Sequence, residues 1–287
     1  MKGIILAGGS GSRLAPCTIA ISKQLIPIHD KPMIYYSLSI LLLAKIRDIL
    51  IISTPDHIDL YKRLLGDGSK YGVSFSYLIQ EEPGGIAQAF ILGENFIDNK
   101  NVALVLGDNI FHGSELQNKL QQAKNNSNSV IFSYSVNDPS SYGVLNYDKN
   151  GNPISILEKP KNPPSNDAVT GLYFYDKDVV SIAKTLKPSN RKELEITDIN
   201  NKYLDIGKLD VFKLGRGFAW LDTGTYESLN EASRFIEIIE NRQGIKIGCL
   251  EEIAYNNDWI NKEDIVKACE SMKNTSYGEY LMKIIKK

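Results

Sequence analysis

Short apolar runs recur through the first half of the chain, and the segments between them carry apolar residues at helical spacing. The runs at 3–7, 48–54, 74–80, 102–107 and 130–136 read as strands; 32–45, 56–65, 86–96 and 114–124 read as helices. Pro32 suits a first helical turn, with Asp30 as the expected cap. This alternation predicts β-α-β units: an α/β fold with a mainly parallel central sheet and helices on both faces. Ligands of such sheets lie beyond the carboxyl ends of the strands, so the turns after 7, 80 and 107 are expected to line one crevice. After Asp138 the pattern shifts to short strands at 142–147, 154–157, 169–175, 211–214 and 219–221, joined by turns such as 148–151 and 161–165. Residues 226–242 read as a helix, and 246–287 as a small tail with one or two helices.

The first strand stops at Gly8-Gly9-Ser10-Gly11-Ser12-Arg13, and Lys23 follows ten residues after Arg13. A glycine-rich loop after a strand lets backbone N–H groups converge on phosphate oxygens. Such a loop can also be a plain strand-to-helix turn. Arg13 and Lys23 add a planar fork and a point charge, and the combination reads as a triphosphate site. It is not a Walker loop, which needs G-x-x-x-x-G-K-[ST]. It is not a dinucleotide fingerprint either: Leu14 holds the third glycine position, and Ile34 stands where a ribose-binding acid would be sought.

Further candidates sit at predicted strand ends. Asp108 lies in Leu106-Gly107-Asp108-Asn109, and Asp222 in Trp220-Leu221-Asp222-Thr223-Gly224-Thr225. Two carboxylates meeting across the crevice would suit Mg²⁺, a hard cation that takes carboxylate, phosphate and water oxygens. Glu158-Lys159-Pro160 places a lysine before proline, where extended backbone is expected. Its ammonium could enter the crevice, or the pair could be a solvated surface pair. Tyr142-Gly143 and Val169-Thr170-Gly171-Leu172-Tyr173 read as core strand residues that could also accept a sugar. Gln80, in Gln80-Glu81-Glu82-Pro83-Gly84-Gly85, offers one acceptor and two donors to a pyrimidine edge, with Gly85 leaving room for a base.

Composition narrows the picture. Thirty-three Lys and Arg against 34 Asp and Glu leave a net charge of −1 over 287 residues, so a general nucleic-acid binder is not expected. No apolar run approaches a membrane span. The first apolar run is short and broken by glycines, unlike a signal peptide. Cys17, Cys249 and Cys269 lack metal-ligand spacing and read as small buried or half-buried residues in a reduced, cytoplasmic protein. His29, His57 and His112 are dispersed; His112, four residues after Asp108, is the one placed to border the site.

In this order the motifs resemble one family, the glucose-1-phosphate thymidylyltransferases, within the sugar nucleotidyltransferases. Its signature is matched by Leu6-Ala7-Gly8-Gly9-Ser10-Gly11-Ser12-Arg13-Leu14 and Lys23. Asp30-Lys31-Pro32-Met33-Ile34-Tyr35-Tyr36, the stretch from Ile46 to Pro55, and Glu193-Leu194-Glu195-Ile196-Thr197-Asp198 are also close to the family's text. Three departures stand out: Gly84 where the family usually has Asp, Lys192 where Gly is frequent, and Ala15 with Cys17 in place of an aromatic-Pro-Leu type of sequence.

The resemblance implies a Rossmann-like nucleotidyltransferase domain over 1–245, with a nucleotide half at 1–137 and a sugar-phosphate half at 138–245, and a tail at 246–287 packed on it. It implies conversion of dTTP and α-D-glucose 1-phosphate to dTDP-glucose and pyrophosphate, a first step toward dTDP-L-rhamnose, other dTDP-deoxysugars and cell-surface polysaccharide. By resemblance the catalytic set is Arg13, Lys23, Asp108, Lys159 and Asp222, with Mg²⁺ on Asp108 and Asp222. The nucleotide would meet Leu6, Gly8, Gly9, Gly11, Ser12, Arg13, Gln24, Gln80 and Gly85. The sugar phosphate would meet Asp108, Tyr142, Gly143, Glu158, Lys159 and Val169. A homotetramer inhibited by a downstream dTDP-sugar is implied too, with no nucleic-acid or membrane partner. A UTP-dependent uridylyltransferase and a non-catalytic nucleotide-sugar sensor are the alternatives.

Overall fold

Strand β1 (Lys2–Leu6) is buried on both sides: Ile5 faces one hydrophobic cluster and Ile4 the other. That double burial is why the run is continuously apolar. The structure, a computed structural model, describes residues 1–9 and 11–286, so Ser10 of the glycine loop lies outside the described residues. A two-residue hairpin, β2 (Pro27–Ile28) and β3 (Lys31–Pro32), leads into α1 (Ile34–Leu43). There follow β4 (Asp48–Ser53), α2 (Ile58–Leu65), β5 (Ser74–Ile79), α3 (Gln88–Leu92), α4 (Glu94–Ile97), β6 (Val102–Leu106), β7 (Asn109–Gly113) and α5 (Leu116–Lys124). The second half contributes β8 (Ser129–Ser135), β9 (Gly143–Tyr147), β10 (Pro153–Glu158), β11 (Asp167–Tyr175), α6 (Val179–Lys184), α7 (Ile196–Asp205), β12 (Leu209–Leu214) and β13 (Phe218–Asp222). The chain closes with α8 (Tyr226–Gln243), α9 (Leu250–Asn256), α10 (Lys262–Glu270) and α11 (Ser276–Ile284).

Among the described residues nine strands form one sheet. Its first part runs β5-β4-β1-β6, all parallel. Antiparallel β11 joins β6 to the second half, where it also pairs with β8 and β9. The pairing of β11 with β8 shifts register between Val169 and Tyr173, so the strand serves different neighbours at its two ends. Helices α1, α2, α5 and α9 cover the face of Ile5, Ile49, Ile51 and Val105; α3, α6 and α7 cover that of Ile4, Leu50, Ile52 and Leu104. Helices thus flank both faces, as the alternation predicts.

Several local expectations need correction. The first helix begins at Ile34, not Pro32, and Asp30 does not cap it: Lys31 and Pro32 pair with Ile28 and Pro27, and Asp30 joins an ion cluster with Lys31 and Lys246. The helix expected over 86–96 is two helices broken at Gly93, where an added Cβ would sit 2.9 Å from the Ala89 carbonyl and 3.2 Å from Leu50. Among the described residues beyond 246 there are three helices rather than one or two, and Leu250, Ala254, Ile265 and Leu281 belong to the same cluster as β1 and α1. Two of the three are legible as capped starts: Asn261 and Asp264 form a reciprocal box at α10, and Thr275 accepts from Gly278 N–H at α11. Cys249 and Cys269 are buried, whereas Cys17 is exposed.

Candidate active site

The glycine loop leaves β1 at its carboxyl end with Gly9 and Gly11 at positive φ, 99° and 58°. Both are conformations that glycine adopts freely. Thr18 Oγ1 donates to the Gly11 carbonyl at 2.8 Å, and Leu14 N–H reaches the same oxygen at 2.8 Å. The loop is also tied to α8, because Tyr226 OH donates to the Leu14 carbonyl at 2.7 Å.

Asp108 sits in the turn between β6 and β7. Ser37 of α1 pins that turn by hydrogen bonding with the Leu106 and Asn109 carbonyls, each at 3.1 Å. Antiparallel pairing of β7 with β13 places Asp222 opposite Asn109, and Thr223 Oγ1 donates to the Asp108 carbonyl at 3.0 Å. The two carboxylates are thereby brought to one place from positions 114 residues apart in sequence. Lys23 Nζ reaches Asp108 Oδ2 at 2.6 Å. Asn109 Nδ2 holds the other Asp108 oxygen at 3.0 Å. Its own Oδ1 accepts from Trp220 Nε1 at 2.7 Å and Gly171 N–H at 3.0 Å. Residue 171 must be small: a Cβ there would lie 2.6 Å from Asn109 Oδ1.

Burial first, then the neighbouring Asp108, pushes the Asp222 carboxyl up to about 6, against the pull of Lys23. Tyr142 donates to Asp222 Oδ2 at 3.4 Å and is itself pushed up to about 12, by burial and by Asp222. A pair of carboxylates this short of positive charge, offering only oxygen donors, fits a hard divalent cation such as Mg²⁺.

At the other end of the cleft Glu158 accepts from Thr197 Oγ1 at 2.5 Å and from Arg191 at 2.9 Å. Arg191 also grips Glu195 at 2.7 Å, and Lys159 Nζ lies 3.8 Å from Glu158. Lys159 is not in the extended conformation expected before proline: its φ is +44°, at a bend just past β10, and its N–H donates to the Tyr142 carbonyl at 2.9 Å. Lys192 likewise has φ +62°, a left-handed position that explains why glycine is frequent there in the family the sequence resembles.

These groups enclose one cleft of about 380 Å³. Of the expected site residues, Gly8, Gly9, Gly11, Ser12, Arg13, Lys23, Gln24, Asp108, Tyr142, Gly143, Glu158, Lys159, Val169 and Asp222 line it. Leu6, Gln80 and Gly85 are not among the lining residues. Gln80 is buried directly against Gly8, and Gly85 precedes Ile86, which does line the cleft. His112 is not a lining residue either; it packs edge-on against Phe235 of α8. Sequence reasoning missed Asn109, Gly171, Trp220, Arg191, Glu195 and Thr197 as lining residues. Five of them stood inside motifs already singled out, and Arg191 lies two residues before Glu193. Among the described lining residues four are basic and five acidic, so the walls alone do not neutralise a triphosphate.

Residues 2–238 match the Nucleotidyl transferase family. The chain belongs to that family. A glucose-1-phosphate thymidylyltransferase of Neisseria meningitidis is 54% identical over 288 residues, covering 100% of both chains. A Bacillus anthracis protein provisionally assigned the same activity, solved with sucrose, superposes with a TM-score of 0.75 at 44% identity, over 82% of this chain and 94% of that one. A UDP-glucose pyrophosphorylase solved with UDP-glucose gives 0.72 at 26% identity, over 83% of this chain and 98% of that one. The nucleotidyltransferase fold that the resemblance implies is therefore the fold of this chain. No helix among the described residues is long and apolar enough to cross a membrane.

Proposed function

We propose that this chain joins dTTP and α-D-glucose 1-phosphate to give dTDP-glucose and pyrophosphate. The observation that carries the reading is full-length identity of 54% to a glucose-1-phosphate thymidylyltransferase. The cleft supports it by joining the glycine loop, Arg13 and Lys23 to Glu158 and Lys159.

The sugar phosphate is largely dianionic at neutral pH, since a phosphate monoester's second pKa is ~6. It needs no general base. Its oxygen forms a bond to the α-phosphorus of dTTP, the bond from that phosphorus to the bridging oxygen breaks, and pyrophosphate leaves with the electron pair. The obstacle is repulsion between anions, so positioning and charge neutralisation carry the catalysis. Arg13 and the loop N–H groups hold the leaving pyrophosphate. Lys23 spans the α-phosphate and the incoming phosphate, and Lys159 grips the sugar phosphate. Glu158, already oriented by Thr197 and Arg191, accepts from sugar hydroxyls beside Gly143 and Val169. Gln80, behind Gly8, reads the pyrimidine edge. Asp108 and Asp222 would hold Mg²⁺, which supplies charge screening and orientation of the triphosphate.

A UTP-dependent reaction is the second reading, favoured by the resemblance to the UDP-glucose pyrophosphorylase. Thymine and uracil differ by one methyl, worth ~1–3 kcal/mol, so measurable UTP use accompanies the first reading. Family membership also carries the expectations of a homotetramer and of inhibition by a downstream dTDP-sugar. The test is pyrophosphate release from dTTP, UTP, CTP, ATP and GTP, each with several hexose 1-phosphates. The expected result is fastest release with dTTP and glucose 1-phosphate. A preference for UTP selects the second reading, and no release with any pair overturns both.

A further inference from the structure

Gln80 and Gln88 close the loop after β5, and their side chains touch. Gln80 Nε2 donates to Gln88 Oε1 at 2.6 Å. The same Gln88 oxygen accepts from Gly84 N–H at 3.0 Å. Gln88 is the first residue of α3, and Gln80 is 5% exposed.

A carboxamide can be turned over, exchanging its donor and acceptor ends, at little steric cost. A backbone N–H cannot. Gly84 N–H also reaches the Glu82 carbonyl, at 2.8 Å, but it presents only a donor to Gln88 and so fixes which end of Gln88 faces it: the oxygen. That oxygen then demands the amino end of Gln80. The carbonyl end of Gln80 is left pointing the other way, 2.7 Å from where a Cβ on Gly8 would stand. Gly8 lines the cleft and carries no side chain to block the approach. Turning Gln80 over would set two carbonyl oxygens against each other. Turning both over would set the Gln88 amino group against Gly84 N–H.

Gly84 itself makes the arrangement possible. An added Cβ would lie 2.7 Å from Cδ, Oε1 and Nε2 of Gln88, so a side chain at 84 displaces the Gln88 carboxamide.

We propose that Gln88 is a positioning residue for base selection: anchored on Gly84 N–H, it fixes the Gln80 carboxamide so that an acceptor faces the base. The proposal rests on the reading that Gln80 meets the nucleotide's base. A fixed acceptor accepts from the N3–H of thymine and uracil and opposes the lone pair on N3 of cytosine. The device therefore separates dTTP and UTP from dCTP and leaves the choice between the first two to other contacts.

The experiment measures kcat/KM for dTTP and dCTP with glucose 1-phosphate and Mg²⁺ in the full chain, alongside equilibrium binding of dTDP and dCDP without turnover. Gln88→Met keeps the length of the side chain and removes the acceptor oxygen. It should lower the dTTP-over-dCTP preference roughly tenfold, the worth of one misplaced buried hydrogen bond, through KM and not kcat. Gln88→Glu keeps acceptors for both donors and should hold the preference within about twofold of wild type. Gly84→Ala reaches the same carboxamide from the other side and should resemble Gln88→Met, giving a second route should that variant fold poorly. Gln80→Ala is the reference for the reading beneath. If Gln80→Ala abolishes the preference while Gln88→Met and Gly84→Ala keep it, Gln88 does not orient Gln80 and the proposal fails alone. If Gln88→Glu loses as much as Gln88→Met, the anchor is not the acceptor oxygen, and the proposal again fails. If Gln80→Ala itself leaves the preference unchanged, Gln80 is not on the base and the underlying reading falls with it.

Discussion

Two lysine–carboxylate clusters in this molecule use the same chemical groups in opposite ways. In the cleft, Lys23 lies on Asp108 at 2.6 Å, with Asp222 close by and both partners partly open to solvent. Under α8, Lys31 meets Glu240 at 3.0 Å, and each of these side chains is only 2% exposed. Glu240 also accepts from Lys246 at 2.8 Å and from Ile247 N–H at 2.8 Å, while Lys31 reaches Asp30 as well. His29, Asp30 and Glu240 bring donor atoms within 4.8 Å of one another, yet Lys31 and Lys246 already balance the two carboxylates. The buried cluster is closed in charge: two cations face two anions, with the Tyr36 hydroxyl on Lys31 and the Ile247 N–H on Glu240. The cleft is left electrically unfinished, and one symptom is an Asp222 carboxyl pushed up to about 6 by burial and Asp108. Closed charges fasten the β2–β3 hairpin to the end of α8. Unfinished charges are the ones proposed to receive a ligand.

Substitution should separate the two clusters by what fails. Arg13→Ala and Lys23→Ala are expected to lower turnover by about a thousandfold or more, in the range of other transition-state charge contacts, with thermal stability nearly unchanged. Turnover assays paired with thermal melts check this, and near-normal turnover in both folded variants would remove the proposed site. Glu240→Gln should do the reverse. It leaves Lys31 and Lys246 partly uncompensated in a buried place, for a loss of about 3–5 kcal/mol of stability. Urea unfolding reads that loss, and the folded fraction should retain its specific activity.

Smaller effects sharpen the picture within the cleft. Asp108→Asn and Asp222→Asn keep shape and remove charge, so each should raise the Mg²⁺ requirement; full activity in excess chelator would refute the metal assignment. Lys159→Ala should raise the KM for glucose 1-phosphate about tenfold or more, as for a lost charge-assisted hydrogen bond, at saturating dTTP. A change confined to the dTTP titration would move Lys159 to the nucleotide side.

The smallest expected effect is on pH dependence. Burial works against the Asp30 carboxylate, but Lys31 and Lys246 outweigh it and hold it below the ordinary value of 3.8. A depressed acid stabilises the fold above its unfolded value, and that contribution is lost as pH falls through the folded one. Wild-type stability should therefore drop below about pH 3.8, and Asp30→Asn should show a shallower acid slope in melts taken between pH 5 and pH 2.

The closed cluster also shows where local reading of the chain goes astray. Asp30 before Pro32 has the pattern of a helix cap, yet its partners are Lys31 and Lys246, and Lys246 lies 216 residues away. Lys159 before proline should be extended, yet it stands at a bend just past β10 with φ +44°, its N–H paired with the Tyr142 carbonyl across from β10. In both cases a nearby propensity of about 1 kcal/mol was outweighed by a distant partner.

What the sequence determined by itself is what depends on neighbours along the chain. Continuous apolar runs alternating with helical spacing demand a sheet covered on both faces, because such strands can shed water only that way. Gly8, Gly9 and Gly11 followed by Arg13 and Lys23 make an anion site the expectation, because loop conformation and local charge are properties of a short segment. Tertiary structure alone decided which distant groups meet. The β7–β13 register set Asp222 beside Asp108, Asn109 oriented Asp108 through Gly171 and Trp220, and Arg191 came to rest on Glu158. None of these contacts leaves a periodic trace, because each is fixed by where two strands or loops happen to be packed and not by what lies next to them in the chain.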